Sequence, residues 1–175
     1  MIEVEIKVKA NNPESIRKKV TELNGSFIAL EKQFDIYFNH PCRDFGTTDE
    51  ALRLRKVNGK VELTYKGEKI DAVTKTREEL IAEVGDFESV RKILMMLGFS
   101  QVREVVKERE IYSLGEYLVM IDSIEGLGKY VEVEKKSSSY TPEELIEFII
   151  SLGLNPEGVE RKSYLELLLE GDDDS

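Results

Sequence analysis

Charged residues recur at two-residue spacing along the chain, beginning at its N-terminal end. Residues 2–8 read Ile-Glu-Val-Glu-Ile-Lys-Val. Because alternate side chains of a β-strand share a face, this segment predicts a strand with Glu3, Glu5 and Lys7 on one side and aliphatic residues on the other. The same spacing recurs in later pairs: Arg53 and Arg55, Arg77 and Glu79, Lys107 and Arg109, and Glu132 and Glu134. Both signs of charge recur, which suits a site that holds metal ions and a polyphosphate together.

The residue types themselves favour the binding of a metal–polyphosphate pair. Hard divalent cations such as Mg²⁺ prefer carboxylate oxygens, whereas phosphate oxygens prefer Arg forks and Lys ammonium groups. The carboxylates that could bind metal are Glu3, Glu5, Asp122, Glu132 and Glu134. The cations that could bind phosphate are Lys7, Arg53, Arg55, Lys66, Arg77, Lys107 and Arg109. Phosphoryl transfer depends mainly on positioning and charge neutralisation, so these residues need no protein nucleophile beside them.

Eight segments have the alternation or composition of β-strands and would position these charges. They lie at about 2–9, 26–38, 50–57, 60–67, 75–84, 101–113, 116–123 and 129–136. Helices are predicted from apolar periodicity and capping signals at about 13–24, 87–97, 142–152 and 162–169. The dipeptide Asn58-Gly59 predicts a hairpin turn between two of the strands.

Two arrangements of these strands fit the alternation. The first is an open antiparallel sheet with helices on its apolar face and its charged face in water. The second is a closed barrel, which eight strands suffice to form, with the charged face inside and the helices around the outside. On the pattern alone the open sheet fits at least as well as the barrel, but in a barrel the acids and bases inside would be too numerous to be merely structural. An internal repeat at an offset of 74 residues, which aligns Glu14–Lys18 with Glu88–Lys92 and Glu5 with Glu79, predicts two similar halves.

The composition predicts one folded domain. The chain has 175 residues, of which 41% are hydrophobic and 34% charged, enough for a core. Its net charge of −10 argues against nucleic acid as the main partner, though not against a small anion in a local pocket. No apolar run reaches the roughly 20 residues of a membrane span and no secretory signal is visible, so we expect a cytoplasmic protein. The single cysteine, Cys42, excludes an internal disulfide.

The order of motifs resembles that of the CYTH superfamily, the triphosphate tunnel metalloenzymes. The signature Glu3-x-Glu5-x-Lys7 opens the chain. The motifs that follow in the family's order are Gln33-x-Asp35-x-Tyr37-Phe38, Ala51-Leu-Arg-Leu-Arg55, Leu63-Thr-Tyr-Lys-Gly67, Arg77-x-Glu79, Lys107-x-Arg109, Ile121-Asp122, Gly126-Leu-Gly128, Glu132-x-Glu134 and Ser163-Tyr164-Leu-Glu-Leu167. The segments 34–45 and 64–67 resemble the class IV adenylate cyclase branch more than the thiamine triphosphatase branch, although Glu68 stands where that branch often has proline.

This resemblance implies an α+β fold: an eight-stranded antiparallel barrel around a hydrophilic tunnel, with helices on the outside and two pseudo-repeated halves. It implies a single domain over residues 1–170, followed by an acidic tail at 171–175. It implies Mg²⁺ or Mn²⁺ as cofactor, held by Glu3, Glu5, Glu132 and Glu134, with Asp122 as a further candidate. The triphosphate would be held by Lys7, Arg53, Arg55, Lys66, Arg77, Lys107 and Arg109. The expected catalytic residues are Glu3, Glu5, Lys7, Glu132 and Glu134.

The function that the resemblance implies is that of a metal-dependent enzyme acting on triphosphates. The first expectation is a class IV adenylate cyclase, in which the ribose 3′-hydroxyl of ATP attacks the α-phosphorus and pyrophosphate leaves. The alternative is a triphosphatase that hydrolyses thiamine triphosphate, inorganic tripolyphosphate or a nucleoside triphosphate, and a third reading is a non-catalytic polyphosphate or nucleotide binder. No residue decides between the first two. The expected partner is a small-molecule triphosphate, with neither nucleic acid nor a membrane, and a homodimer is left open.

Overall fold

The strands form a closed barrel in a computed structural model, which describes residues 2–70, 72–137 and 139–173 of the chain. The strands are β1 (Ile2–Lys9), β2 (Ser26–Asn39), β3 (Ala51–Val57), β4 (Lys60–Lys69), β5 (Arg77–Val84), β6 (Ser100–Leu114), β7 (Tyr117–Ile124) and β8 (Gly128–Lys135). They follow one another around the barrel in the order β1-β5-β4-β3-β2-β6-β7-β8, with antiparallel neighbours. The predicted barrel is therefore confirmed, and the open sheet is wrong.

The helices lie outside the barrel. They are α1 (Pro13–Glu22), α2 (Phe45–Thr48), α3 (Phe87–Met96), α4 (Pro142–Ser151) and α5 (Tyr164–Asp173), and a 3₁₀ turn spans Pro156–Gly158. The predicted capping box is present at α4, where Thr141 and Glu144 bond each other's backbone N–H groups. The sequence did not predict α2, because four residues are too few to show a helical period. No helix in the described ranges is long and apolar enough to cross a membrane.

The two halves of the chain are related by a pseudo-two-fold axis through the barrel. The run β1-α1-β2-β3-β4 corresponds to β5-α3-β6-β7-β8, and exchanging the halves leaves the strand order unchanged. The cross-strand pairs Glu3–Arg77 and Gln33–Lys107 lie at this axis, because the partners in each are 74 residues apart. The sequence repeat has the same offset, so the predicted pseudo-repeat is confirmed.

The barrel wall separates the two faces of each strand. Val4 and Ile6 of β1 point outward and are fully buried against Val20 of α1 and against Leu145 and Ile149 of α4. Burying such a side chain stabilises the fold by about 1.5 to 3 kcal/mol. The alternate residues of the same strands must then point inward, because the side-chain period of a strand is two. Aliphatic packing on the outside therefore fixes the charged residues on the inside.

Helix α5 covers one end of the barrel. Its Tyr164 and Leu168 are buried in a cluster with three residues of the barrel interior, Tyr37, Val105 and Ile124. This apolar cluster fills the interior at that end. The charged residues line the rest of the barrel interior, which is not filled by apolar side chains.

Candidate functional site

A cavity of about 380 Å³ lies inside the barrel. Its wall contains most of the residues that the spacing of charges singled out, from six of the eight strands. The predicted residues in the wall are Glu3, Glu5, Arg53, Arg55, Lys66, Arg77, Lys107, Arg109, Glu132 and Glu134. Two others, Lys7 and Asp122, are fully buried and lie behind the wall. The barrel thus brings together charges that lie far apart in the sequence.

Four glutamates of the neighbouring strands β1 and β8 form what we call the acidic wall: Glu3, Glu5, Glu132 and Glu134. Glu5 stands directly opposite Glu134 across the two strands. Like charges at opposed positions destabilise a sheet. Burial, followed by the charges of Glu3 and Glu5, raises the pKa of Glu134 to about 7. The acidic wall therefore carries more negative charge than its surroundings offset, and a cation between these carboxylates would relieve it.

Four cations of β3 and β6 form the basic wall on the other side of the cavity: Arg53, Arg55, Lys107 and Arg109. Arg55 is held by a buried partner, since its Nε and Nη2 both donate to the Asp35 carboxylate at 2.7 Å. Burial alone would raise the pKa of Asp35, but the charge and hydrogen bonds of Arg55 outweigh it and lower that pKa to about 2. Asp35 and Arg55 thus form a bidentate pair of the strong, charge-assisted kind.

Arg53, on the same face of the same strand, is held more loosely. Its Nη2 donates to the Thr64 hydroxyl at 3.2 Å and lies 3.8 Å from Glu79. Its Nε is buried and has no hydrogen-bond partner among the residues that the structure describes. A buried donor without an acceptor costs about 1 to 3 kcal/mol. Arg53 also lines the cavity, so an anion there would meet its guanidinium, although Nε itself is enclosed by protein.

Asp122 neutralises the β6 part of the basic wall from behind. Arg109 donates to both of its oxygens, at 2.7 and 2.5 Å, and Lys107 lies 3.3 Å from it. The Tyr164 hydroxyl donates to the same carboxylate at 2.8 Å. Burial acts to raise the pKa of Asp122, but Arg109 and Lys107 lower it below its usual value. The structure thus shows Asp122 orienting cations, and its predicted role as a metal ligand remains a prediction.

Lys7 lies beyond the covered end of the cavity rather than in its wall. Its Nζ donates to the backbone carbonyl of Lys162 and lies 4.1 Å from the centroid of the Tyr164 ring. Burial, and then the charge of Lys75, lowers the pKa of Lys7 to about 7. Tyr164 therefore stands between this ammonium and the cavity. Contact between Lys7 and a triphosphate remains a prediction.

Two further cations face the acidic residues near the start of β1 and β5. The Nζ of Lys66 donates to Glu3 at 2.5 Å and lies 3.3 Å from Glu79. Arg77 donates to the backbone carbonyls of Gly67 at 3.1 Å and Asp49 at 3.4 Å. Both cations line the cavity, as predicted, but Arg77 is held mainly by backbone atoms.

The sequence reasoning missed Lys75 as a site residue. The Lys75 ammonium hydrogen-bonds Glu5 and lies 3.4 Å from Glu132, so it bridges β1 and β8. Burial acts to lower the pKa of Lys75, but Glu5 and Glu132 outweigh it and raise that pKa. The signal was available, because Lys75 continues the two-residue spacing of Arg77 and Glu79 by one step.

The acidic wall fits a divalent metal by its chemistry. Its four carboxylates are hard oxygen donors on two adjacent strands, and burial together with the charges of Glu3 and Glu5 raises the pKa of Glu134. Within the described ranges, no three acidic, histidine or cysteine side chains are arranged to hold a metal ion. The reason is that Glu3, Glu5 and Glu132 each turn toward a Lys or Arg side chain. A bound metal would take the place of those ion pairs.

Comparison with known proteins assigns the chain to a family. The model of the CYTH domain matches residues 1–164. The chain belongs to the CYTH family. A Methanocaldococcus jannaschii protein that carries the name "putative adenylate cyclase" is 44% identical over 172 residues, which is 95% of this chain and 98% of that protein. The solved structure of a Pyrococcus horikoshii OT3 protein is 43% identical, with a TM-score of 0.87 over 97% of this chain and 99% of that one.

The CYTH fold is also shared with a more distant protein. A Hippeastrum protein described as a "putative adenylyl cyclase" with a dominant triphosphatase activity is 19% identical, and the match covers 97% of this chain and 96% of that one. Its TM-score of 0.65 indicates a common architecture. At this identity the likeness concerns the fold alone. The acidic and basic walls agree with what the CYTH family implies, which is action on triphosphates with a divalent metal.

Proposed function

We propose that this CYTH protein is a metal-dependent enzyme acting on triphosphates, with the cyclisation of ATP to cyclic AMP and pyrophosphate as the first candidate reaction. The observation that carries the proposal is the pairing of an acidic wall with a basic wall in one cavity inside the barrel. The M. jannaschii relative, named as a cyclase and 44% identical over nearly the whole chain, supports cyclisation.

In this proposal the basic wall binds the phosphates. Arg53 would contribute its guanidinium, while Arg55, Lys107 and Arg109 are held in position by the buried carboxylates behind them. Their charges would offset the negative charge that develops on the phosphate oxygens as the bond to the leaving pyrophosphate breaks. Preorganised charge of this kind lowers the barrier without moving during the reaction. The ribose 3′-hydroxyl would attack the α-phosphorus in line with that bond.

The acidic wall would hold the divalent metal. Glu3, Glu5, Glu132 and Glu134 are the residues that would do so, in agreement with the sequence-based expectation. When bound, such a metal would supply Lewis acidity toward the phosphates and would lower the pKa of the attacking hydroxyl. The walls face each other across the cavity, so a triphosphate between them would contact both.

Hydrolysis of a triphosphate is the second candidate, and one observation favours it. The charged lining recognises phosphates, which ATP, thiamine triphosphate and tripolyphosphate share. The Hippeastrum protein, with the same fold, is described by a dominant triphosphatase activity, so the architecture is compatible with water as the nucleophile. The difference between the two reactions is which phosphorus faces the nucleophile.

The experiment is a product analysis with three substrates. The protein is incubated separately with ATP, tripolyphosphate and thiamine triphosphate, each with Mg²⁺ and with Mn²⁺, and the products are separated by chromatography. Cyclic AMP and pyrophosphate from ATP support cyclisation, whereas orthophosphate supports hydrolysis. Arg53→Ala is the site variant, and Lys60→Ala, whose ammonium is exposed on the surface beside Glu83, is the control. Absence of product from all three substrates with both metals would overturn the proposal.

A further inference from the structure

Lys75 holds an unusual place among the cations of the cavity, because it lies within the acidic wall. Its ammonium hydrogen-bonds Glu5 and lies 3.4 Å from Glu132, so one positive charge joins two buried carboxylates of adjacent strands. The side chain of Lys75 is 9% exposed, and those of Glu5 and Glu132 are 6% and 5% exposed. Two carboxylates that share one compact cation form the kind of site that a divalent ion also prefers.

The backbone that carries Lys75 is fixed, whereas its side chain is long and flexible. The Lys75 N–H donates to the Glu5 carbonyl at 2.9 Å, and the N–H of Ile70 donates to the Thr76 carbonyl at 2.8 Å. The hydroxyls of Thr74 and Thr76 are 2.7 Å apart and buried. These bonds hold the segment against β1. The ammonium alone can leave the carboxylates without disturbing the barrel, by rotation about the four-carbon stem.

We propose that Lys75 occupies, in the metal-free protein, the place between Glu5 and Glu132 that a divalent cation takes, so that the ammonium and the metal compete for these carboxylates. Binding of the metal releases Lys75 into the cavity that it lines, where the substrate phosphates are the remaining anions. This inference rests on the proposed function, since both place a divalent cation at the acidic wall. It adds a residue and a sequence of events that the proposed function does not contain.

The competition follows from charge. Glu132 also pairs with Arg109, but without Lys75 or a metal Glu5 would lose its ion pair beside that buried carboxylate, which is costly. The ammonium removes that cost in the free protein, and therefore weakens the attraction that a metal would otherwise feel. Lys75 pairs with two carboxylates, which favours its charged form, so the competitor at neutral pH is an ammonium. A divalent ion prevails because it brings twice the charge to the same oxygens.

The first test measures metal binding without any triphosphate. Mn²⁺ is titrated into wild type, Lys75→Met and Lys69→Met, and the dissociation constants are determined by calorimetry. Lys69 is the matched control, because its ammonium pairs with Asp49, outside the acidic wall. We expect Lys75→Met to bind Mn²⁺ about tenfold more tightly than wild type, within the usual range for coupled binding events. Lys69→Met should match wild type. Equal or weaker binding by a folded Lys75→Met would overturn the inference.

The second test uses wild-type protein and therefore stands even where Lys75→Met does not fold. A limiting dose of an amine-acetylating reagent is applied with and without saturating Mg²⁺, and acetylation of each lysine is measured by mass spectrometry. Lys75 should be slow to react without metal and faster with it, while Lys69 should react equally in both. Unchanged reactivity of Lys75 in metal-saturated protein would contradict the proposed release.

The two proposals can fail separately. Metal-dependent turnover of a triphosphate, together with unchanged Lys75 reactivity, would leave the proposed function standing and overturn the role of Lys75. Release of Lys75 by Mg²⁺ in a protein that converts none of the substrates would support the role of Lys75 and overturn the proposed function.

Discussion

The acidic wall and the basic wall lie across one cavity, but they differ in how their charges are balanced. Arg55 of the basic wall has Asp35 behind it, and Arg109 has Asp122. The acidic wall has no such complete compensation, because Glu134 opposes Glu5 and its pKa is raised to about 7. The basic wall is thus largely a preformed part of the fold, whereas three glutamates of the acidic wall are held by Lys or Arg side chains that a metal would displace. This difference predicts that losing a carboxylate behind the basic wall lowers stability, whereas losing a carboxylate of the acidic wall lowers activity without destabilising the fold.

The largest expected effect on stability comes from removing the carboxylate behind Arg55. Asp35→Ala leaves that guanidinium buried and without its bidentate partner. Breaking a buried pair in this way costs about 3 to 5 kcal/mol, so the free energy of unfolding should fall by that amount in urea denaturation. Glu83→Ala, which removes an exposed partner of Lys60, should cost about 0 to 1 kcal/mol and serves as the control. Equal effects of the two variants would contradict the compensation of the basic wall.

Removing a charge from the acidic wall should lower activity and leave stability nearly unchanged. Glu5→Gln preserves shape and removes one charge from the group of four glutamates. We expect kcat on the best triphosphate substrate to fall by about 10² to 10³, the usual cost of removing one group that stabilises a charged transition state. The melting temperature should change little, because repulsion from Glu134 is relieved as the contact with Lys75 weakens. Activity close to wild type, or activity in excess chelator, would show that the acidic wall does not serve a metal.

A smaller effect is expected in the pH dependence of stability. The pKa of Glu134 is raised above its unfolded value of about 4.5, so between these values the folded state binds more protons than the unfolded state. The contribution of this group is fully present below pH 4.5 and is lost as the pH rises through about 7. Glu134→Gln should therefore be more stable than wild type at pH 8, by on the order of 2 kcal/mol, with a smaller difference at pH 5. The free energy of unfolding is measured against pH in metal-free buffer, and parallel curves for the two proteins would contradict this prediction.

The two arginines of β3 show how far the sequence could predict the site. The alternation of Leu52, Arg53, Leu54 and Arg55 placed both arginines on the inner face, and the structure confirms this. From spacing alone, the loss of either arginine should leave the unfolding temperature unchanged or raise it, because mutual repulsion is relieved. The structure reverses that expectation for Arg55, because Asp35 lies against it. A side chain's face follows from the period of the strand, but its partner depends on the register with the neighbouring strand.

The sequence also could not predict how deep in the barrel each charged side chain lies. Lys7 shares a face with Glu3 and Glu5, yet it lies beyond Tyr164, because α5 fills that end of the interior. The alternation of side chains along β1 cannot predict where a helix more than 150 residues later covers the barrel. In contrast, the eight strands, the outer aliphatic face and the repeat at an offset of 74 were readable, since they follow from local alternation and from self-similarity.

The most direct test of the account is the binding of a non-hydrolysable triphosphate analogue with Mg²⁺ to wild type, Arg53→Ala and Lys60→Ala, measured by calorimetry. Arg53 lines the cavity and is paired only loosely, at 3.2 Å to Thr64 and 3.8 Å to Glu79, whereas Lys60 is exposed on the surface. The account predicts binding to wild type and to Lys60→Ala with equal affinity, and binding to Arg53→Ala about 10- to 100-fold weaker, since a charge-assisted hydrogen bond to phosphate is lost. Equal affinities for all three proteins would contradict the claim that the charged cavity holds the triphosphate.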